Sequence, residues 1–378
     1  MKKLHLAKIN VHLMAITNYQ IEMLNVGDAD AFIVYYLTED GGEHLVLIDA
    51  GRYDDGEKVL NHLNSYYTGI PVELAIVTHP DDDHYGGFIY LLEQIQQKSK
   101  NLVPIQQFWI NDPRNHISVK DVEEDIQRKT LEKRLADIYS GNKTNLLELI
   151  ELLHIPYKEV FAQTIFTDVI LKSGKYEKNY QCVGSDQIGF TILGPTKEYF
   201  EQQCQEFRFK HIHVQIEDEA DDMIDERTFS ANEKCLSQVL EDANDDQSNH
   251  NRSSIIVLFE PGDGNKFLFT GDASVDSFEK MDIPHQNKCK KVTWLKVPHH
   301  GSKHNLNTKW IKHFYAEISY ISTLRIGQYV NQCTINALKN ARPDAKVLSM
   351  HKNSQNDAIL YHDFQNREGW SSDSIVWS

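Results

Sequence analysis

His79, Asp81, Asp83 and His84 put two imidazoles and two carboxylates inside the run Thr78-His79-Pro80-Asp81-Asp82-Asp83-His84-Tyr85-Gly86-Gly87. That donor set suits zinc, manganese or iron. A solvated acidic turn before a helix is the competing reading, because Asp is favoured at an N-cap. The histidines, the apolar LAIVT before them and the glycine pair after them favour ligands. Gly271-Asp272 follows the apolar KFLFT, where Asp272 is placed to bridge two cations. Pro298-His299-His300-Gly301-Ser302 follows VTWLKV. Neighbours on extended chain point to opposite sides, so one histidine binds metal and the other faces substrate. Each of these last two motifs is ordinary alone. Their joint occurrence at strand ends is not.

Such a site needs strands that end together. Residues 31–37 (AFIVYYL) and 44–49 (HLVLID) read as strands joined by the turn Glu39-Asp40-Gly41-Gly42. The spacing of Val59, Leu60, Leu63, Tyr66 and Tyr67 predicts a helix over 56–67. A short buried strand at 74–78 runs into a ligand loop, 79–87, and a helix follows over 88–97. Ligand sites of α/β sheets gather at such carboxyl ends. Further strands are expected at 254–259, 266–270, 292–297 and 318–322, with a helix at 307–315. Between these two similar halves, 119–155 is helical in period, with Leu131, Leu135, Ile138, Leu146, Leu149 and Leu152 as its stripe. Residues 164–194 alternate like strand. The expected organisation is α/β, a single catalytic domain over 1–378 with large, mainly helical insertions at 105–165 and 196–250.

His79-x-Asp81-x-Asp83-His84, Thr270-Gly271-Asp272 and Leu295-Lys296-Val297-Pro298-His299-His300-Gly301-Ser302-Lys303 resemble the metallo-β-lactamase superfamily. Within it they resemble the hydrolase domain of the ComEC/Rec2 DNA-uptake proteins, here without any stretch that reads as the membrane channel. Asn25-Val26-Gly27-Asp28-Ala29-Asp30-Ala31, Leu47-Ile48-Asp49-Ala50-Gly51 and Asn251-x-x-Ser254 are similar to further motifs of that branch. The likeness spans 20–100 and 250–350. It implies an αββα metallo-β-lactamase sandwich with two divalent metal ions, Zn2+ or Mn2+, at one edge of the sheets. By this resemblance His79 and Asp81 hold one metal, Asp83 and His84 hold the second, Asp272 bridges, and His300 completes the second site. The usual superfamily pattern has His where Asp81 stands, and the ComEC-like branch has Asp. The oxygen-richer set tilts the choice toward manganese. Two departures stand out. The histidine that many relatives supply between the second and fourth motifs has only His250 as a candidate, and His250 reads as an exposed loop residue. The late Gly-His-Pro of the ComEC-like pattern stands here as Val330-Asn331-Gln332.

The chain has 378 residues, 40% hydrophobic and 25% charged, and no apolar run approaches the roughly 18–20 residues of a membrane span. The basic start Met1-Lys2-Lys3 precedes an apolar run broken by His5, Lys8, Asn10 and His12, so no signal peptide is expected. Five cysteines without a C-x-x-C pair read as reduced thiols in a cytoplasmic protein. The net charge of −16 is uneven. Residues 217–246 hold 12 acidic and two basic residues, so this stretch carries −10 and the rest −6. A uniformly acidic protein repels nucleic acid, whereas a local flap is screened beyond about 8 Å. The flap is expected to be mobile or to bind a basic protein partner.

Two metals would lower the pKa of a shared water, and the metal-bound hydroxide would attack the substrate. Asp83 would orient it, and His299 would contact substrate or protonate the leaving oxygen. Ser302 and Lys303 would hold the neighbouring phosphate, while Lys296 reads as a phosphate contact or a plain surface lysine. The expected enzyme is a phosphodiesterase or nuclease acting on single-stranded DNA or RNA, or on nucleotide-like phosphodiesters. Phe108, Trp109 and Tyr139 are candidates to stack unpaired bases, although core packing explains each as well. A hydrolase of a small ester, lactone or phosphomonoester is the second reading, because the fold hosts many chemistries. A partner-regulated component of a multi-protein system, with insertions used for protein binding, is the third.

Overall fold

Strands β1 (Ile16–Met23), β2 (Ala31–Thr38) and β3 (Glu43–Ala50) form an antiparallel meander. Apolar residues occupy both pleat faces of β2, and all but one of its positions are buried, as befits a sheet covered on both sides. The β2–β3 turn passes through Gly41 at φ 83°, a left-handed conformation that glycine adopts without a Cβ clash. The sheet continues in parallel through β4 (Leu74–Ile76) and β5 (Phe108–Trp109). A small ribbon, β6 (Ser140–Gly141) with β7 (Thr144–Asn145), precedes the next parallel strand, β8 (Tyr157–Lys158). The computed structural model describes residues 15–116, 139–141, 144–170, 176–182, 185–206, 236–323, 332–349, 358–362 and 375–376.

A hairpin of β9 (Thr164–Ile170) and β10 (Tyr176–Cys182) leads to a second seven-stranded sheet. There β11 (Phe190–Gly194), β12 (Ile256–Phe259) and β13 (Phe267–Phe269) run antiparallel. Strands β14 (Trp294–Lys296), β15 (Ile318–Ile321) and β16 (Lys346–Ser349) then follow β13 in parallel. Strand β17 (Ala358–His362) returns to the first sheet beside β1, and β18 (Ile375–Val376) closes the second beside β16.

Three apolar clusters define the layers. Phe32, Ile48 and Trp109 of the first sheet meet Phe269, Trp294 and Tyr320 of the second, with Phe32 edge-on to Trp294 at 5.8 Å between ring centres. Outside the first sheet, helices α1 (Gly56–Tyr66) and α2 (Asp82–Gln96) bury Val59, Leu63, Phe88 and Leu92. Outside the second, Phe278, Trp310 and Phe314 do the same for its helices. The result is the αββα sandwich of the metallo-β-lactamase fold.

Strands 31–38, 43–50 and 318–321 and the helix Thr308–Phe314 fall where the pattern expected them, within a residue or two at each end. Helix α2 differs. It begins at Asp82, six residues before the expected start, and takes in Asp83, His84, Gly86 and Gly87. The apolar period starts only at Phe88, but the first turn is stabilised by acidic residues at a helix N-terminus. The glycines are needed there because a Cβ on Gly87 would lie 2.0 Å from the Ala50 carbonyl oxygen, and one on Gly86 2.6 Å from the Tyr53 nitrogen. Strands β5 and β8 belong to the first sheet although they fall in the stretch expected as an insertion, 105–165. Phe108, Trp109 and Tyr139 are buried in its packing, so they are core side chains and not platforms for bases. Leu131, Leu135, Ile138, Val330 and Asn331 lie outside the described residues, as do residues 217–235 of the acidic stretch. Among the described residues, no helix is long and apolar enough to cross a membrane.

Candidate metal centre

The chemistry-bearing residues meet at one edge of the sandwich, where β3, β4, β13, β14 and β15 end. Asp49, next to last in β3, has φ 55°, a left-handed backbone unusual for a residue other than glycine. Its carboxylate accepts from the Thr78 amide at 2.9 Å, from the Thr78 hydroxyl at 2.7 Å, and pairs with His84 Nδ1 at 2.8 Å. With Nδ1 so engaged, the other ring nitrogen of His84 is turned to the site. It lies 3.4 Å from Asp272 Oδ1. His79 Nε2 lies 3.8 Å from Asp272 Oδ2 and 3.5 Å from Asp81 Oδ2.

Asp81 stands in extended backbone as the N-cap of α2, and the helix then carries Asp83 and His84. Asp83 Oδ2 is 3.1 Å from His300 Nε2, while His300 Nδ1 is fixed by the Ser322 carbonyl at 2.6 Å. His299 and His300 both adopt left-handed backbone, φ 45° and 49°. This double turn sends the rings apart: His300 is buried against Asp83, and His299 Nδ1 lies 3.2 Å from Asp246 and 3.1 Å from the Asn305 amide oxygen.

Among the described residues, three sets of side chains bring possible ligand atoms within 4.8 Å of one another: His79 with His84 and Asp272, Asp83 with His84 and His300, and Asp30 with Asp49 and His84. His79 Nε2 and His84 Nε2 are buried with no hydrogen-bond partner. A buried polar atom left without a partner is costly, and two imidazole nitrogens facing one carboxylate make a fitting donor set for a divalent cation. The residues present therefore fit metal.

Charge is concentrated here. Burial pushes the Asp81 carboxyl up, but His250 and His79 outweigh it and hold it well below the usual range. Burial opposes protonation of His84, yet Asp272, Asp49 and Asp30 raise its pKa well above the ordinary imidazole value. His299 is pulled down by burial and pulled up more strongly by Asp272 and Asp246, to about 10.

Every metal-ligand candidate read from the sequence, His79, Asp81, Asp83, His84, Asp272 and His300, comes to this edge. Several other expectations are corrected. His250 is not an exposed loop residue: it sits in a short helix, Asn249–Arg252, with Nδ1 2.7 Å from Asp81 Oδ1. Lys296 is fully buried beneath the site, so it is neither a surface lysine nor a phosphate contact. Ser302 is buried, and its hydroxyl accepts from the His304 amide within its own loop. Lys303 is half-buried in that loop. The end of the acidic stretch is not a detached flap, because Asp246 is buried and accepts from Asn251 at 2.7 Å and Asn305 at 2.9 Å. Asp30, Asp49, Asp246, Asn305 and Ser322 were not assigned roles from sequence. Asp49 carried a usable signal, since it ends an apolar strand as Asp272 nearly does. Asp246 carried none, being one acidic residue among many.

The family model described as the metallo-beta-lactamase superfamily matches residues 29–160, the span from just before β2 to just past β8. Asp272, His299 and His300 lie beyond it and join the site through the second sheet. No curated protein matches the chain. The sandwich fold, the His/Asp cluster at its edge and the match over residues 29–160 together support membership of the metallo-β-lactamase superfamily and, with it, a metal-dependent hydrolase.

Proposed function

We propose that the chain is a phosphodiesterase of the ComEC-like branch, acting on single-stranded nucleic acid or on nucleotide-like phosphodiesters in the cytoplasm. The observation that carries this reading is the donor set. Asp81, Asp83 and Asp272 stand among His79, His84 and His300, an oxygen-rich cluster suited to hard divalent ions that engage phosphoryl oxygens. At its rim Arg52 Nη2 lies 3.7 Å from Asp83 Oδ2, and the guanidinium is partly exposed. An exposed guanidinium there offers a fork for a phosphate.

His79 and Asp81 would hold one ion, with His250 orienting Asp81. Asp83, His84 and His300 would hold the other, and Asp272 would face both. When bound, the two ions, Zn2+ or Mn2+, supply an activated water and neutralise charge on the phosphoryl oxygens. Asp83 orients the attacking water. Asp246 and Asn305 engage His299 Nδ1, so Nε2 is the atom that delivers a proton to the leaving oxygen. The water would lose one proton to solvent as its oxygen forms the new P–O bond, the P–O bond to the leaving group would break, the proton from His299 would neutralise the departing alkoxide, and His299 would regain a proton from solvent. We further propose that the acidic stretch 217–246 binds a basic protein partner, a reading supported by its charge of −10.

The test is a substrate panel on metal-stripped protein reloaded with Mn2+ or Zn2+ at fixed low salt. Short single strands are expected to be cleaved faster than blunt duplexes of equal length. Faster duplex cleavage would show an open cleft. Turnover of a chromogenic ester or a phosphomonoester with no cleavage of any diester would transfer the assignment to a small-substrate hydrolase, the reading that the net charge of −16 favours.

A further inference from the structure

Lys296 ends β14 with its side chain between the two sheets, where Trp294, two residues earlier on the same face, packs against Phe32. It is completely buried. Its ammonium donates to the Gly271 carbonyl at 2.8 Å and to Asp272 Oδ1 at 3.0 Å, and it forms an ion pair with Asp30 Oδ2 at 2.5 Å. The two carboxylates come from different halves of the molecule. Asp272 follows β13 in the second sheet, and Asp30 precedes β2 in the first. Asp30 is further tied into the ligand-bearing segment, since its amide donates to the Asp83 carbonyl at 3.1 Å.

We infer that Lys296 is a resident cation of the metal centre, preforming the ligand set before metal arrives. The physical problem it solves is charge. Asp30, Asp49, Asp81, Asp83 and Asp272 crowd one edge of the sandwich, and carboxylates this close repel strongly when shielded from water. Lys296 offsets part of this negative charge before any ion is present. It also holds Asp272 by Oδ1, on the side away from Oδ2, the oxygen that faces His79. This inference rests on the metal-centre reading and on no particular substrate.

A metal that supplies the missing positive charge should substitute for Lys296, which a mere structural tie would not allow. The experiment compares the full chain with Lys296→Met and with Lys296→Met/Asp30→Asn, each stripped with chelator and then titrated with Mn2+ or Zn2+. The readouts are metal stoichiometry and thermal unfolding. Without metal, Lys296→Met is expected to unfold roughly 5–10 °C below the parent chain. Added metal should recover most of that loss, giving a larger metal-induced shift than in the parent. The double variant should still depend on metal, because Asp272 still lacks its ammonium.

An unchanged metal-free unfolding temperature in Lys296→Met overturns the inference. So does failure of metal to rescue Lys296→Met, including failure to fold at any metal concentration. Full recovery of the double variant without metal also overturns it, leaving Lys296 as a tie to Asp30 alone. A parent chain that takes up no metal sinks the metal-centre reading itself, whereas a parent that binds two ions beside an unrescued variant sinks only the role given to Lys296.

Discussion

Asp246 and His299 are paired across the mouth of the site, with Asp246 Oδ2 3.2 Å from His299 Nδ1. The carboxylate is delivered by the end of the acidic stretch and braced by Asn251 and Asn305. It orients the ring and favours its protonated form. Asp246→Asn keeps the shape and removes the charge. The expected result is a kcat about 10–100-fold lower on a phosphodiester, with KM and bound metal unchanged. Equal kcat in variant and parent would remove His299 from the chemistry.

Asp83→Ala and His84→Ala both abolish hydrolysis, by about 10³-fold or more, if both side chains hold metal. Their effects on folding now separate. Asp83 is partly exposed at the rim and its loss leaves the fold intact. His84 is fully buried and pairs with Asp49, so its removal opens a cavity and leaves the buried Asp49 carboxylate to the Thr78 amide and hydroxyl alone. We expect His84→Ala to cost about 2–4 kcal/mol, read by denaturant unfolding. Both residues lie in the first turn of α2, but only Asp83, at the rim, is expected to be separable from folding.

Gly87 packs the first turn of α2 onto the end of β3. An added methyl group would meet the Ala50 carbonyl oxygen at 2.0 Å, and backbone cannot step aside as a side chain can. Gly87→Ala should cost about 1–3 kcal/mol and displace Asp83 and His84 together. Metal content and unfolding temperature should fall in parallel; a fully loaded, fully stable variant would contradict the close approach.

His116 ties the segment Pro113–His116 to Glu159 at 2.8 Å and to Glu201, on the helix Lys197–Glu206, at 3.2 Å. Burial lowers its pKa, but Glu159 and Glu201 more than compensate and raise it above the ordinary imidazole value. A raised folded-state pKa contributes stability fully below the unfolded value, about 6.5, and loses it as pH rises through the folded value. The stability gap between the parent and His116→Gln should be about 1.5 kcal/mol in mildly acidic solution and shrink as pH climbs. Unfolding curves across that range provide the measurement, and a gap that widens with pH would reverse the assignment.

Much of the centre was legible from residue types and spacing. His79, Asp81, Asp83 and His84 are near neighbours in sequence, and Asp272 and His300 announce themselves at the ends of apolar strands. The strand pattern also carried the two-sheet architecture, because burial on both faces leaves long apolar runs that a local reading detects. What tertiary structure alone decided is which distant groups complete one another. His250 reaches Asp81 across 169 positions, and His300 reaches Asp83 across 217. Lys296 and Asp246 read as solvent-facing charges because an isolated charge avoids burial. Both are buried, since each found partners of the opposite sign or hydrogen-bonding amides that only the closed sandwich brings near. Composition and period report what a residue prefers alone, whereas a buried network is set by pairs.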